Sequence, residues 1–305
     1  LEHGENLEER MNAVDILGQR GHWHILDVLR KILHDAGEKP ELRLRVLHTL
    51  GELTLTEAME DLIICFHSKN AEIRAAALDA LARYRIFSSK KEIFVKWNLF
   101  HELEDLYERE TDEENISRII FILSKISNLE VVEFLLGVLK KADVKHKHDA
   151  IMALGKFEDD GVVKFIAPFL QSKNPEEQMS AAIALAAFNK TKLEARELIA
   201  GFLNSRDSEK LAWGIYAAGE LKIKDKKYLC HKYLTSKDKD LRMQAAAALV
   251  KFGDQVALQA VLDILVNAPA TVSGKLKSLL RNLDGRTLWH IEKMYQEALF
   301  HKNNS

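Results

Sequence analysis

Apolar positions recur along this chain at a period near 3.6, the signature of amphipathic helices. Glu130 to Lys141 reads Glu-Val-Val-Glu-Phe-Leu-Leu-Gly-Val-Leu-Lys-Lys, with its apolar residues gathered on one helical face. A short polar break follows, and a second helix is predicted from about Lys145 to Phe157. The next stretch has the same plan: Val162 to Leu170, a break at Ser172-Lys173-Asn174-Pro175, then Glu176 to Phe188. Proline is tolerated in a first helical turn, and acids there favour the positive end of the helix dipole, so Pro175-Glu176-Glu177 marks a helix start.

The second helix of each pair carries a recurring core of small residues and leucine. Clear copies are Ala80-Leu81-Ala82-Arg83-Tyr84, Ala153-Leu154-Gly155-Lys156-Phe157, Ala184-Leu185-Ala186-Ala187-Phe188 and Ala248-Leu249-Val250-Lys251-Phe252. Weaker copies centre on Leu17, Leu50, Leu123, Ala218 and Leu280. Successive centres are 33, 31, 42, 31, 31, 33, 31 and 31 residues apart. A near-fixed interval of this kind is the mark of a repeat architecture, in which one helical hairpin cannot bury both its apolar faces and stacking buries a continuous core. Runs such as Ala75-Ala76-Ala77 and Ala245 to Ala248 leave little side-chain bulk, so neighbouring helices can approach closely.

Three places depart from the rhythm. The first centre, Leu17, has room for a second helix before it but none for a first, so the chain is expected to open on a half-repeat whose apolar face is covered either by residues 1–7 folding back or, as favoured, by a further domain upstream in the natural protein. After Asp284-Gly285, residues 286–301 are predicted to form a capping helix, with Leu288, Ile291, Met294, Tyr295 and Leu299 turned inward and Glu292, Lys293, Gln296 and Glu297 to water. The 42-residue interval holds an insertion, read as a first helix about two turns longer than its neighbours, from about Lys90 to Arg109 within an irregular acidic segment, 88–114. Glu102, Glu104, Asp105, Glu108, Glu110, Asp112, Glu113 and Glu114 place eight acids in thirteen positions, offset only by Arg109. Such a surface is read either as a solvent-facing helix with surplus charge or as a site that attracts a basic partner, with Trp97 and Tyr107 as its candidate aromatic contacts.

A basic residue also stands seven positions before many of the centres: Arg10, Arg43, Arg74, Lys147 and Arg242, interrupted by Ile116, Gln178, Leu211 and Ser273. The favoured reading is a structural ladder, each side chain bonding carbonyls or acids in neighbouring turns.

Composition narrows the function. With 44 Lys+Arg against 46 Asp+Glu the formal net charge is -2, which argues against a dedicated nucleic-acid binder. Residues 1–150 carry a net charge of -7 and residues 151–305 one of +5. Only Cys65 and Cys230 are present, which points to a reducing, cytoplasmic or cytoplasm-facing setting rather than to a disulfide framework. No apolar run reaches the 18 or so residues needed to cross a bilayer, although a membrane-attached parent protein stays open. No nucleotide, zinc, calcium or nucleophile-elbow motif occurs. His22 with His24 and His146 with His148 diverge on a helix, so no metal site and no cofactor are expected.

Taken with Asn70-Ala71-Glu72-Ile73-Arg74-Ala75-Ala76-Ala77 and the arginines at 43, 74 and 242, these repeats resemble the HEAT-repeat superfamily, over about residues 8 to 285. The resemblance implies an all-α fold: a right-handed α–α superhelix, armadillo-like, with about eight helix pairs, a leading half-repeat and a C-terminal cap, in one domain over 1–305. It also implies a scaffold, adaptor or regulatory module that binds a protein or peptide without catalysis. The alternative is a HEAT-like enzyme or small-ligand carrier, lyase-like, with a pocket built across repeats. HEAT-type metal hydroxylases carry paired His-Glu motifs; here only His101-Glu102 occurs.

Overall fold

The computed structural model describes residues 6–20, 25–84, 97–126, 128–141, 144–157 and 159–280, together with 283, 287, 290, 291, 294, 295, 298, 299 and 302. Among them the regular structure is all helical. In chain order the α-helices are α1 (Leu7–Arg20), α2 (Ile25–His34), α3 (Pro40–Leu53), α4 (Met59–Phe66), α5 (Ala71–Arg83), α6 (Leu99–Arg109), α7 (Glu113–Leu123), α8 (Leu129–Lys141), α9 (Val144–Leu154), α10 (Val163–Ile166), α11 (Pro175–Leu185), α12 (Lys192–Leu203), α13 (Ser208–Glu220), α14 (Lys227–Tyr233), α15 (Lys239–Lys251), α16 (Val256–Asn267) and α17 (Ala270–Leu280). The chain forms two compact units, Leu1–Glu133 and Phe134–Ser305. None of the described helices is long and apolar enough to cross a membrane.

Within each unit the helices pack as a repeat solenoid. In the first, α3 packs on its hairpin partner α2 and on α5, and α5 packs on α4 and α7. In the second, α9, α11, α13, α15 and α17 follow one another as a row of second helices, each in contact with the next. The leucines read as repeat centres occupy equivalent sites: Leu50, Leu81, Leu123, Leu154, Leu185 and Leu249 are fully buried, as is Ala218, and Leu280 almost so. Leu17 is half-buried.

After four of the centres, at Gly18, Gly51, Gly155 and Gly219, a close approach between second helices depends on the glycine. A Cβ added to Gly155 would lie 2.5 Å from the Ala184 Cβ, and one on Gly219 would lie 2.6 Å from the Ala248 Cα. Each alanine immediately precedes the next centre. Gly18 against Thr49 and Gly51 against Ala80 hold the same register in the first unit. The contact therefore needs a hydrogen on one side and a small side chain on the other.

The hairpin turns are built by a short motif that repeats. Ser68-Lys69-Asn70, Ser172-Lys173-Asn174, Ser205-Arg206-Asp207 and Ser236-Lys237-Asp238 all use the serine Oγ to accept from the backbone N–H of the third residue, at 3.1–3.2 Å. That third residue then caps the following helix. Asp238 Oδ1, for example, accepts from the N–H of Asp240 at 3.0 Å and of Leu241 at 3.2 Å, satisfying donors that a helix start leaves open. The basic residue between them is exposed in all four turns.

Two predicted helices differ in the structure. The segment from 162 to 170 is one turn of α-helix, α10, set between short 3₁₀ stretches at Asp160–Val162 and Ala167–Gln171. Pro168 has no N–H to donate and its ring crowds the preceding turn, so a continuous α-helix cannot run through it. The long helix over 90–109 is not continuous either: Asn98 adopts φ 47°, a left-handed conformation, and α6 begins at Leu99. At the other end the acidic segment leaves the helix at Glu110, runs extended to Asp112 and enters α7. Residues 85–96, with Lys90 and Phe94, lie outside the described residues.

Past Leu280, residues 287, 290, 291, 294, 295, 298, 299 and 302 are helical. Ile291 is buried, the Lys277 Nζ sits 4.9 Å above the Tyr295 ring, and the Lys302 Nζ donates to the Val266 carbonyl at 2.8 Å. Leu288, Glu292, Lys293, Gln296 and Glu297 lie outside the described residues.

Candidate functional site

Helix α6 buries Leu99, Leu103 and Leu106 and turns its acids outward, but they do not form one uniform patch. Glu110 is fully buried at its side chain and grips Arg74 through two hydrogen bonds, Nε to Oε2 at 2.7 Å and Nη2 to Oε1 at 2.6 Å. It also accepts from the backbone N–H of Thr111 and Asp112 and from Asn115 Nδ2. Burial alone would raise this carboxyl; Arg74 and the surrounding N–H donors outweigh it and hold the group down at about 2. Asp112 is a cap, its Oδ1 accepting from the Asn115 N–H at 2.9 Å. Glu102 faces His67 at 3.6 Å and Glu104 faces His101 at 3.2 Å. Asp105, Glu108 and Glu113 are exposed and Glu114 is half-buried. Trp97 and Tyr107 are both half-buried, so neither presents a whole ring to solvent.

The basic residues seven before the centres reach two kinds of acceptor. Arg74 Nη1 and Arg242 Nη1 bond the carbonyl six residues upstream, Ser68 at 2.8 Å and Ser236 at 3.4 Å. Arg43 Nε reaches the Leu33 carbonyl at 2.8 Å, and Gln178 does the same to Leu170 at 2.9 Å. Arg10, Arg74 and Lys147 also meet an acid of the following hairpin: Glu38, Glu110 and Glu177.

The faces of the second helices differ between the units. In the first they carry ion pairs along the row: Arg45 with Asp15 at 3.6 Å and Arg118 with Asp79 at 3.0 Å. The Lys125 Nζ donates to the Ala82 carbonyl at 2.8 Å and lies 4.4 Å over the Phe121 ring; burial pushes its amine down to about 8. In the second unit the row holds a polar and aromatic cluster. Trp213 and Tyr216 meet edge to face at 5.6 Å, and His148 lies 5.7 and 6.1 Å from them. The Lys251 Nζ stands 4.4 Å over the Tyr216 ring and pairs with Glu220. Burial, and then Glu220, raise the Tyr216 hydroxyl well above its ordinary value. Asp149 Oδ2 and Gln244 Oε1 are buried without a hydrogen-bond partner among the described residues.

The serine and histidine of this cluster are not arranged as a nucleophile and its base. His148 Nδ1 is 2.5 Å from Ser180 Oγ, a spacing that suits a nucleophile and its base. The Ser180 proton, however, goes to the Glu176 carbonyl at 2.6 Å, and the serine is fully buried. The imidazole is therefore the donor to Oγ, and no substrate atom can approach it. Cys65 and Cys230 are buried, which pushes their thiols up to about 12 and about 11, the behaviour of packed apolar residues rather than nucleophiles. Among the described residues no group of three or more His, Cys, Asp or Glu could hold a metal.

Sequence reasoning did not find this second-unit cluster, because its members come from four helices and no local spacing joins them. Nor did it single out the Ser-basic-Asn/Asp turns, although a signal for them exists: the trio recurs at 172, 205 and 236, at the repeat interval.

Stacked helical hairpins, with repeated contacts between second helices and capped turns, define an α-solenoid. The HEAT-repeat family profile matches residues 1–82, 101–186, 132–209 and 195–276, well over half of the chain, and the chain belongs to the HEAT-repeat family. No curated protein sequence matches it. Among solved structures, an engineered protein is similar at 19% identity and a TM-score of 0.40, over 98% of this chain and 89% of that one. Human deoxyhypusine hydroxylase in complex with glycerol is similar at 16% identity and 0.25, over 83% and 82%. UNC-45 from Drosophila melanogaster is similar at 14% identity and 0.32, over 98% and 52%.

Proposed function

We propose that this chain is a non-enzymatic interaction module, a scaffold or regulatory solenoid that binds a basic protein segment along helix α6. The observation that carries the reading is the pair Asp105 and Glu108. Both are exposed, three residues apart on one helical face, and neither has a side-chain partner among the described residues. The acids beside them are committed: Glu110 to Arg74 and Asp112 to its cap. A partner lysine or arginine meeting Asp105 and Glu108 would displace no internal bond. The exposed faces of the second helices are a further contact surface in the same reading.

We take the whole of 1–305 as one solenoid of about eight hairpins after a leading half-repeat, with 286–301 as its cap. The burial of Ile291 and the Lys302 bond to Val266 support the cap. The two buried, free cysteines support a reducing, cytoplasm-facing setting.

The test is fluorescence anisotropy with a labelled lysine-rich dodecapeptide, comparing the native chain, Asp105→Asn/Glu108→Gln, and a charge-matched control, Glu41→Gln/Glu197→Gln. Binding should weaken about tenfold in the first variant alone, as expected for charge-assisted contacts of about 1.5 kcal/mol or more. Equal binding by all three chains refutes the acidic site.

A further inference from the structure

The basic position seven before each centre has a counterpart acid in three hairpins, and that acid comes from one of three places around the start of the next second helix. Glu38 stands two residues before Pro40, the first residue of α3. Glu110 stands three before Glu113, the first of α7. Glu177 stands two after Pro175, the first of α11. They meet Arg10, Arg74 and Lys147 respectively, the two arginines through paired hydrogen bonds.

Arg242 breaks this pattern. Its next second helix, α17, begins at Ala270, so the three places are held by Ala268, Asn267 and Val272. None carries a charge. Arg242 keeps a single long bond, Nη1 to the Ser236 carbonyl at 3.4 Å, and its Nε and Nη2 have no hydrogen-bond partner among the described residues. All three acid-less positions, together with Arg242 and Lys239, line one groove of about 570 Å³. Its walls are otherwise largely apolar, with Leu234, Ile264 and Val272. Asp263 is the one acid on its lining, and its Oδ1 accepts from Gln259 at 3.1 Å, so the groove keeps a net positive charge from Arg242 and Lys239. Arg43 also lacks an acid, but its Nε makes a 2.8 Å bond to the Leu33 carbonyl.

The geometry points to this groove as a binding site for a glutamate or aspartate side chain of a partner peptide, seated on the Arg242 guanidinium with an apolar neighbour against Ile264 and Val272. The incoming carboxylate takes the place that Glu110 holds on Arg74. A guanidinium fork matches a carboxylate in two parallel hydrogen bonds, and the rest of the chain already uses carboxylates, not other anions, at this position. The site is built from other helices than α6 and takes the opposite charge, so it stands or falls independently of the acidic-helix reading.

The experiment follows the Arg242 Nε–H resonance by NMR during titration with acetyl-Leu-Glu-Leu-amide, with acetyl-Leu-Gln-Leu-amide as the neutral control. The glutamate peptide should shift that resonance saturably and bind at least about tenfold more tightly than the glutamine peptide. Arg242→Gln should abolish the difference while leaving the fold intact, since Gln178 fills the same repeat position and still bonds its carbonyl. Ala268→Glu should supply the missing acid from within, raise Tm and close the site to the peptide. Equal affinity for the two peptides, or an Arg242 resonance that does not move, overturns the proposal. So does a resonance that answers to inorganic phosphate but not to the glutamate peptide, and so does Ala268→Glu binding the peptide as the native chain does.

Discussion

Arg74 and Glu110 are 36 residues apart in sequence, yet the carboxylate lies across the guanidinium in two bonds of 2.6 and 2.7 Å, with the glutamate side chain fully out of solvent. The pair joins the α4–α5 hairpin to the turn before α7, bridging the one interval in which the repeat spacing is stretched. Removing one partner strands a buried charge, so Glu110→Gln should cost about 3–5 kcal/mol. The pH dependence follows from the depressed carboxyl. The folded chain holds Glu110 ionised down to about 2, whereas the unfolded chain protonates it near 4.5. Its stabilisation is therefore complete above 4.5 and lost as pH falls from there toward 2. Urea melts of the native chain and Glu110→Gln at pH 7 and pH 3.5 should show the gap between them narrowing at the lower pH.

Glycines in this chain should respond to alanine in opposite directions according to register. Gly155→Ala and Gly219→Ala drive a Cβ into Ala184 and Ala248 and should each cost about 1–3 kcal/mol. Gly137 lies inside α8 with nothing within 4 Å of an added Cβ. Gly137→Ala should be neutral or stabilise by up to about 1 kcal/mol, because a helix-interior glycine pays backbone entropy. Thermal melts of the three variants decide the matter, and a similar loss at all three positions contradicts the register.

Lys251 and Glu220 are a buried pair under the Tyr216 ring, both sides nearly closed to solvent. Lys251→Met alone leaves Glu220 uncompensated and should lower stability by about 3–5 kcal/mol. Lys251→Met with Glu220→Gln removes both charges and should recover a substantial part of that loss. A double-mutant cycle by denaturant unfolding measures the coupling, and strictly additive losses would show that the two do not act as a pair.

The amine of Lys125 should lose its proton near pH 8, against 10.5 in the unfolded chain, because burial disfavours the charged form. Between those values the unfolded chain binds more protons. Stability should therefore rise as pH increases from 8 to 10.5. Lys125→Met should flatten that rise, which unfolding curves at pH 7.5, 9 and 10 would record.

Much of the architecture was readable because it repeats. A small-residue and leucine core that recurs at 31 to 33 residues in seven of eight intervals is a signal that no single helix could give, and Leu50, Leu81, Leu154, Leu185 and Leu249 all sit at the same buried site. What was not readable depended on single residues acting against the pattern. Asn98 in a left-handed conformation and Pro168 without its N–H each interrupt a run whose hydrophobic spacing favours a helix. The acidic segment shows the same limit from the side of function. Charge density along the sequence treats Glu110 and Glu108 alike, but one is locked inside against Arg74 and the other faces water. That difference is set by a hairpin more than thirty residues away, where local spacing carries no record of it.

The pairing of Gly155 with Ala184 has one more consequence, for how a chain like this can change its length. Excise one hairpin at matching positions and Ala217 would arrive where Ala184 now stands, another alanine just ahead of its own centre, offering the same small face to Gly155. Cut at half a hairpin and the glycine would confront a first helix shaped for something else. Growth and loss at such joints come in whole quanta, because Gly18, Gly51, Gly155 and Gly219 are keyed the same way.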